Sequence, residues 1–219
     1  MTKLYLIRHG KTEWNLESRY QGAHGDSPLL PASYAEIKQL GQFLRPIRFE
    51  HVFSSPIRRA RLTAFELQKS IHQKIPFTLM SQLAEFDLGQ MEGMLFDDVK
   101  RQFPKEFDAF RHHPDQYDPA QIHGETFAQL INRMGGAIKE ISGANQGDVN
   151  VLIVSHGAAL NAVINSLLGV PLAYLRDRGG LNNTSTTVLE TRTGSEFKLL
   201  KWNDTSYLRK SVADPTDTI

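Results

Sequence analysis

The apolar positions of this chain alternate between short unbroken runs and longer stretches with helical spacing. Leu4-Tyr5-Leu6-Ile7 runs into Arg8-His9-Gly10, and Val151-Leu152-Ile153-Val154 runs into Ser155-His156-Gly157. Short apolar runs bounded by glycine predict strands buried on both faces. Two more are expected at residues 51–54 and 77–80, and a hairpin is expected from residues 186–191 and 197–202 around Arg192-Thr193-Gly194-Ser195. Helical spacing is carried by Ile37, Leu40, Phe43 and Leu44, in a helix starting near Ala32 and Ser33 and ending before Pro46. A second helix should have Ser55 as N-cap and Pro56 at its first position, with Ile57, Ala60, Ala64, Leu67 and Ile71 inward. A third carries Phe127, Leu130, Ile131, Met134, Ile138 and Ile141, and a fourth spans residues 158–168 before Gly169 and Pro171. This order predicts a three-layer α/β/α sandwich whose mainly parallel sheet ends in an antiparallel edge. The chain is read as a single domain over residues 1–219. Residues 9–31 read as a long polar loop, the aromatic-rich residues 94–123 as a small cap of short helices and loop, and the last ten or so residues as loosely held.

Composition narrows the chemistry. The 219 residues are 40% hydrophobic and 22% charged, with a net charge of +1 and no cysteine. Disorder, thiolate metal sites and cysteine nucleophiles are excluded, and no basic stripe implies nucleic acid. No apolar run approaches the ~18 residues of a membrane span, and no signal segment precedes the first strand. The expected location is the cytoplasm.

In open parallel sheets ligands bind at the carboxyl ends of the strands. Both His-Gly pairs lie there, so His9 and His156 should share one cleft if their strands are neighbours. Arg8 ends a buried strand, a costly place for a cation unless it meets an anion. Arg58, Arg59 and Arg61 crowd the first turn of a helix, where cations oppose the dipole. Surface charge accounts for Arg59 and Arg61, whereas Arg58 is read as facing an anion. Glu85 follows the third strand, but Asp87 and Glu92 stand close by, and spacing does not choose among them. A metal site is disfavoured by the arginines and by the lack of a His-Glu-x-x-His helix. There is no Gly-x-x-x-x-Gly-Lys-Ser/Thr loop, and Ile153 stands where a serine-hydrolase elbow needs glycine. What remains is phosphoryl transfer to histidine, with arginines on the equatorial oxygens and an acid for the leaving group.

The stretch Leu6-Ile7-Arg8-His9-Gly10-Lys11-Thr12-Glu13-Trp14-Asn15 closely resembles the signature of the histidine phosphatase (phosphoglycerate mutase-like) superfamily. The resemblance continues through Gln21-Gly22, Asp26-Ser27-Pro28-Leu29, Ser54-Ser55-Pro56-Ile57-Arg58-Arg59-Ala60, the 85–93 loop, Gly124-Glu125-Thr126 and Val154-Ser155-His156-Gly157. It implies that His9 is the nucleophile, that Arg8, Arg58, His156 and Gly157 form the phosphate pocket, and that Glu85 is the general acid. It also implies that Asn15, Gln21 and Gly22 complete the pocket or contact substrate. For His9 to attack through one nitrogen the other must be held protonated, and the Gly10 carbonyl is the local candidate. Three features depart from the pattern: the extra residue in Ala23-His24-Gly25, Ser33 in place of a glycine, and Met91 where tryptophan is common.

The chain looks most like the broad-specificity phosphatase branch. Residues 94–123 are short and mix Lys100, Arg101, Lys105 and Arg111 with six acids and several aromatics, a balance that does not favour a second phosphate. The expected activity is hydrolysis of small phosphomonoesters without metal or other cofactor. The alternative is a phosphoglycerate mutase, for which 2,3-bisphosphoglycerate would be the cofactor. A non-catalytic phosphate-binding or scaffold protein is opposed by the filled core positions. The expected partner is a small phosphomonoester, with no nucleic acid or membrane, and the chain is expected to be a monomer or homodimer.

Overall fold

The computed structural model describes residues 1–145 and 147–209. The expectation for the last ten residues falls outside them. Six strands form one sheet in the order β3-β2-β4-β1-β5-β6. They are β1 (Thr2–Arg8), β2 (His51–Ser54), β3 (Phe77–Leu79), β4 (Val149–Ser155), β5 (Thr186–Thr191) and β6 (Phe197–Asp204). The pairs β1–β4, β2–β4 and β2–β3 are parallel, and β5 pairs antiparallel with both β1 and β6. The helices are α1 (Glu13–Leu16), α2 (Pro31–Leu44), α3 (Arg58–Ile71), α4 (Phe96–Gln102), α5 (Pro104–His112), α6 (Phe127–Ala144) and α7 (Gly157–Leu167). Among the described residues no helix is long and apolar enough to cross a membrane.

Side chains alternate across the central strands and divide the core in two. Leu4 and Leu6 of β1 join Val151 and Ile153 of β4 beneath α6 and α7, while Ile7, Leu152 and Val154 face α2 and α3. Period-2 alternation thus serves both faces, which is why the runs read as unbroken apolar. Each fully buried Leu or Ile adds roughly 1.5–3 kcal/mol. Residues 96–122 form α4, α5 and two short 3₁₀ turns. Their aromatics pack inward: Phe110 lies 5.3 Å from Phe86, 5.3 Å from Tyr117 and 5.8 Å from Phe127.

Two local expectations change. The 9–31 loop contains α1, started by a capping box in which the Thr12 hydroxyl accepts from Asn15 N and the Asn15 amide oxygen accepts from Thr12 N. Helix α3 begins at Arg58 with Ile57 as N-cap, two residues later than Ser55-Pro56 implied. The Ser55 hydroxyl is committed elsewhere, to His156 Nε2 at 2.8 Å and to the Ile57 N–H at 3.3 Å.

Helices α2 and α3 touch at Gly41, where a Cβ would lie 2.3 Å from Ser70 Cβ and 3.1 Å from the Ser70 carbonyl carbon. Gly41→Ala should therefore cost about 1–3 kcal/mol by overpacking. Thermal unfolding followed by circular dichroism should show a midpoint lowered by roughly 2–10 °C. An unchanged midpoint would contradict the close contact.

Candidate active site

The register of β1 with β4 builds the site. Pairing runs from Thr2 opposite Val149 to Arg8 opposite Ser155, so His9 and His156 leave the sheet side by side. The His9 N–H donates to the Ser155 carbonyl at 3.0 Å, and the two imidazole centroids are 5.3 Å apart. Both rings are buried. Nδ1 of His9 lies 2.8 Å from the Gly10 carbonyl, an acceptor only, so Nδ1 carries the proton and Nε2 the lone pair. Arg59 Nε donates to that lone pair at 3.3 Å. Burial, then the charges of Arg59 and Arg8, hold His9 well below the ordinary 6.5, with the Gly10 bond opposing them. His156 is held down by burial and by Arg59, His9, Arg8 and Arg133. Nε2 of His156 lies 2.8 Å from Ser55 Oγ, and its Nδ1 is buried without a hydrogen-bond partner among the described residues.

The arginine beside His9 is Arg59, and this corrects the expectation for Arg58. Arg58 is exposed. The buried stripe of α3 runs Arg59, Ala60, Thr63, Ala64, Leu67, Ile71, and a residue one position earlier turns about 100° away from it. Helical periodicity drawn back from Leu67 and Thr63 selects Arg59, a signal present in the sequence. Arg59 also binds the first loop: Nη1 donates to the Gly25 carbonyl at 2.8 Å and to Asp26 Oδ1 at 3.1 Å, and Nη2 donates to the Gly22 carbonyl at 2.8 Å. Burial lowers its pKa and Glu85 and Asp26 oppose the shift. Thr63 Oγ1 fastens both sides, accepting from Gly10 N–H and donating to the Arg59 carbonyl.

Arg8 is fully buried, with Nη1 donating to the Leu181 carbonyl. Gly157 makes room for it: a Cβ there would sit 2.8 Å from Arg8 Nε. Glu85 is 5% exposed, and its carboxylate accepts N–H bonds from Phe86, Ala158 and Ala159. Two of these come from the first turn of α7, where a carboxylate answers the helix dipole. Of the three candidate acids only Glu85 reaches the cavity shared with His9, whose other walls are Tyr20, Gln21, Gly22, Arg59, Leu88, Phe110 and Ala158. Glu92 instead accepts N–H bonds from Ala23, His24, Gly25 and Leu88. The extra residue in the first loop is thus held between Glu92 and Arg59. Gly22 has φ +63°, and a Cβ there would fall 2.1 Å from Glu92 Oε1.

Gln21 and Gly22 line the cavity, whereas Asn15 sits one layer out. The Asn15 Oδ1 accepts from Thr12 and, at 3.4 Å, from Asn183 Nδ2, which also donates to the His9 carbonyl. The Gln21 amide bridges Thr12 and Ser27. Ser33, in place of a glycine, donates to the Lys11 carbonyl at 2.7 Å, and Met91 is fully buried in the core. One supporting pair escaped the sequence reading. Arg133 binds Glu125 through two bonds of 2.9 and 2.7 Å and donates to the carbonyls of Gln82, Ala84 and Glu85. That clamp fixes the turn that delivers Glu85.

A histidine with a defined lone pair, flanked by a second histidine, two arginines and a carboxylate, thus stands at the carboxyl end of the parallel strands of an α/β sandwich. The chain belongs to the histidine phosphatase superfamily, whose branch 1 family model matches residues 4–205. It is 30% identical over 208 residues to phosphoserine phosphatase 1 of Hydrogenobacter thermophilus, covering 95% of each chain. It is 32% identical over 187 residues to a probable phosphoglycerate mutase, GpmB, of Salmonella paratyphi A, covering 84% of this chain and 83% of that one. Among solved structures, YhfR of Bacillus stearothermophilus superposes with a TM-score of 0.87 at 32% identity, covering 94% of this chain and 99% of the other.

The depressed histidines have a measurable consequence. With folded-state values below 6.5, the unfolded chain takes up protons that the native imidazoles refuse. Their contribution to stability is complete above about pH 6.5 and is lost as pH falls below it. The thermal midpoint should decline from pH 6.5 to 5, less steeply in His156→Gln. Equal slopes would contradict a buried neutral pair.

Proposed function

We propose that this chain hydrolyses small phosphomonoesters through a covalent phosphohistidine on His9. The observation that carries the reading is the His9 tautomer: Nδ1–H is tied to Gly10, and Nε2 carries the lone pair, met by Arg59 Nε, at a cavity that Glu85 also lines. In the first step the Nε2 pair attacks phosphorus and the P–O bond to the alcohol breaks. Glu85 gives its proton to the departing oxygen. Arg8, Arg59 and His156 hold the equatorial oxygens, where charge gathers. In the second step water passes a proton to Glu85 and attacks phosphorus, and the P–N pair returns to Nε2. Fixed cations take the electrostatic role that a metal takes elsewhere, and the reaction is read as cofactor-free.

The similarity to a probable phosphoglycerate mutase supports a second reading. Both activities share the phosphohistidine and differ in whether water or a second hydroxyl accepts the phosphoryl group. Rapid interconversion of 3- and 2-phosphoglycerate, stimulated by 2,3-bisphosphoglycerate, would favour the mutase.

Hydrolysis of p-nitrophenyl phosphate should proceed in EDTA and fall roughly 10³-fold or more in His9→Ala. Arg59→Ala should lose about 10²-fold or more in kcat, as when a donor to developing charge is removed. Arg58→Ala should leave the rate essentially unchanged. An active His9→Ala protein, or equal losses at positions 58 and 59, would overturn these assignments. The acid limb of kcat/KM attributable to His9 should lie well below pH 6.5, since its folded-state value is depressed.

A further inference from the structure

The turn that leads into β5 carries buried polar groups that the hydrolytic steps do not use. Asn183 and Thr184 are fully buried where β1 ends. Asn183 Nδ2 donates to the His9 carbonyl at 3.1 Å and to Asn15 Oδ1 at 3.4 Å. The Thr184 N–H is shared between the carbonyls of Arg8 and His9, each at 3.2 Å. Thr184 has φ +60°, a left-handed conformation that a β-branched residue rarely takes. The turn is held in that shape from outside. The Tyr207 hydroxyl donates to the Thr184 carbonyl at 2.6 Å, and Thr184 Oγ1 donates to Glu36 Oε2 at 3.2 Å. Asn203 pairs reciprocally with Asn182 through bonds of 2.7 and 2.8 Å.

These bonds converge on one peptide plane. The His9 carbonyl and the Gly10 N–H are its two ends. The first accepts from Asn183 and Thr184, and the second donates to Thr63 Oγ1 at 3.0 Å. The next carbonyl along the chain, that of Gly10, receives His9 Nδ1–H. Gly10 has no Cβ to narrow its dihedral angles, so a loose peptide before it would let that carbonyl swing. The orientation of the imidazole therefore depends on what grips the preceding peptide. The Asn183 amide carries a cost, because its Oδ1 is buried with no partner among the described residues. A buried amide kept with one end unanswered points to the end that is used.

We propose that Asn183, held by the clamp of Tyr207 on Thr184, is the positioning residue of the nucleophile. It fixes the His9–Gly10 peptide so that the Gly10 carbonyl keeps the proton on Nδ1 and Nε2 keeps its lone pair at the cavity. Asn183 does not line that cavity and acts through the backbone. The role rests on the hydrolase reading above, in which the lone pair attacks phosphorus. The antiparallel edge of the sheet thereby takes part in the chemistry: β5 and β6 carry the turn and its clamp to the end of β1.

Asn183→Ala removes one of the donors to the His9 carbonyl. It should lower kcat for p-nitrophenyl phosphate roughly 10- to 100-fold, as small misplacements of a reacting group do, with KM and inhibition by inorganic phosphate little changed. ¹⁵N NMR of histidine-labelled protein reads the tautomer, with the His9 signals assigned by their loss in His9→Ala. The wild type should show Nδ1–H alone, and Asn183→Ala a mixture with Nε2–H. A purely structural role would lower the thermal midpoint and leave kcat and tautomer unchanged. Tyr207→Phe should lower kcat by a smaller factor, and adding Thr184→Gly should recover part of the loss, because glycine takes φ +60° unaided. A wild-type kcat, or an unmixed tautomer, in Asn183→Ala overturns the positioning role. Should that variant fail to fold, as read by circular dichroism, Tyr207→Phe decides by the same two readings. An active His9→Ala protein overturns the hydrolase reading itself, whatever Asn183 does.

Discussion

Everything in the site depends on the register between the first strand and the fourth. Seven parallel pairs, ending with Arg8 opposite Ser155, make both strands stop at one level. A slip of one residue would exchange the faces of Leu6 and Ile7, moving each into the wrong half of the core. The core therefore enforces the register, and the register sets two imidazoles 5.3 Å apart. The glycine after each histidine then matters for space: a Cβ at Gly157 would lie 2.8 Å from Arg8 Nε, and one at Gly10 would crowd Ser33 Cβ at 3.0 Å.

Such a site concentrates positive charge where water is scarce. Arg8 and Arg59 are almost wholly buried beside two histidines. The protein limits the cost in two ways. The imidazoles stay neutral, depressed by burial and by the arginines themselves. The guanidinium groups meet backbone carbonyls, Gly22 and Gly25 for Arg59 and Leu181 for Arg8. The same bonds order the first loop, which Glu92 grips from its other side. Loop order and the buried cationic site are thus one network, and a change in either should be felt in both.

Much of this was legible in the sequence. Strands ending in His-Gly, the acid after the third strand and the Gly10 carbonyl as partner of His9 all follow from local pattern or family resemblance. What escaped depends on tertiary contacts. Arg58 was read as the arginine facing an anion, whereas the fold buries Arg59 beside His9 and leaves Arg58 exposed. Ser55 looked like a cap when its hydroxyl in fact bonds His156, more than a hundred residues away. Arg133, held by Glu125, clamps a turn about 50 residues back in the chain, and no spacing rule reveals that. Arg176 lies in a stretch without periodicity, so its place over Phe110 emerges only from the fold.

Of all these features, the His9 Nε2 lone pair bears most directly on chemistry, and trapping the covalent adduct tests it most directly. The protein would be mixed with a ³²P-labelled phosphomonoester, quenched in alkali within milliseconds, digested and mapped by mass spectrometry. An acid-labile, alkali-stable phosphate on His9 at Nε2 is the predicted result. Label on another residue, or no protein-bound label while the ester turns over, would contradict it.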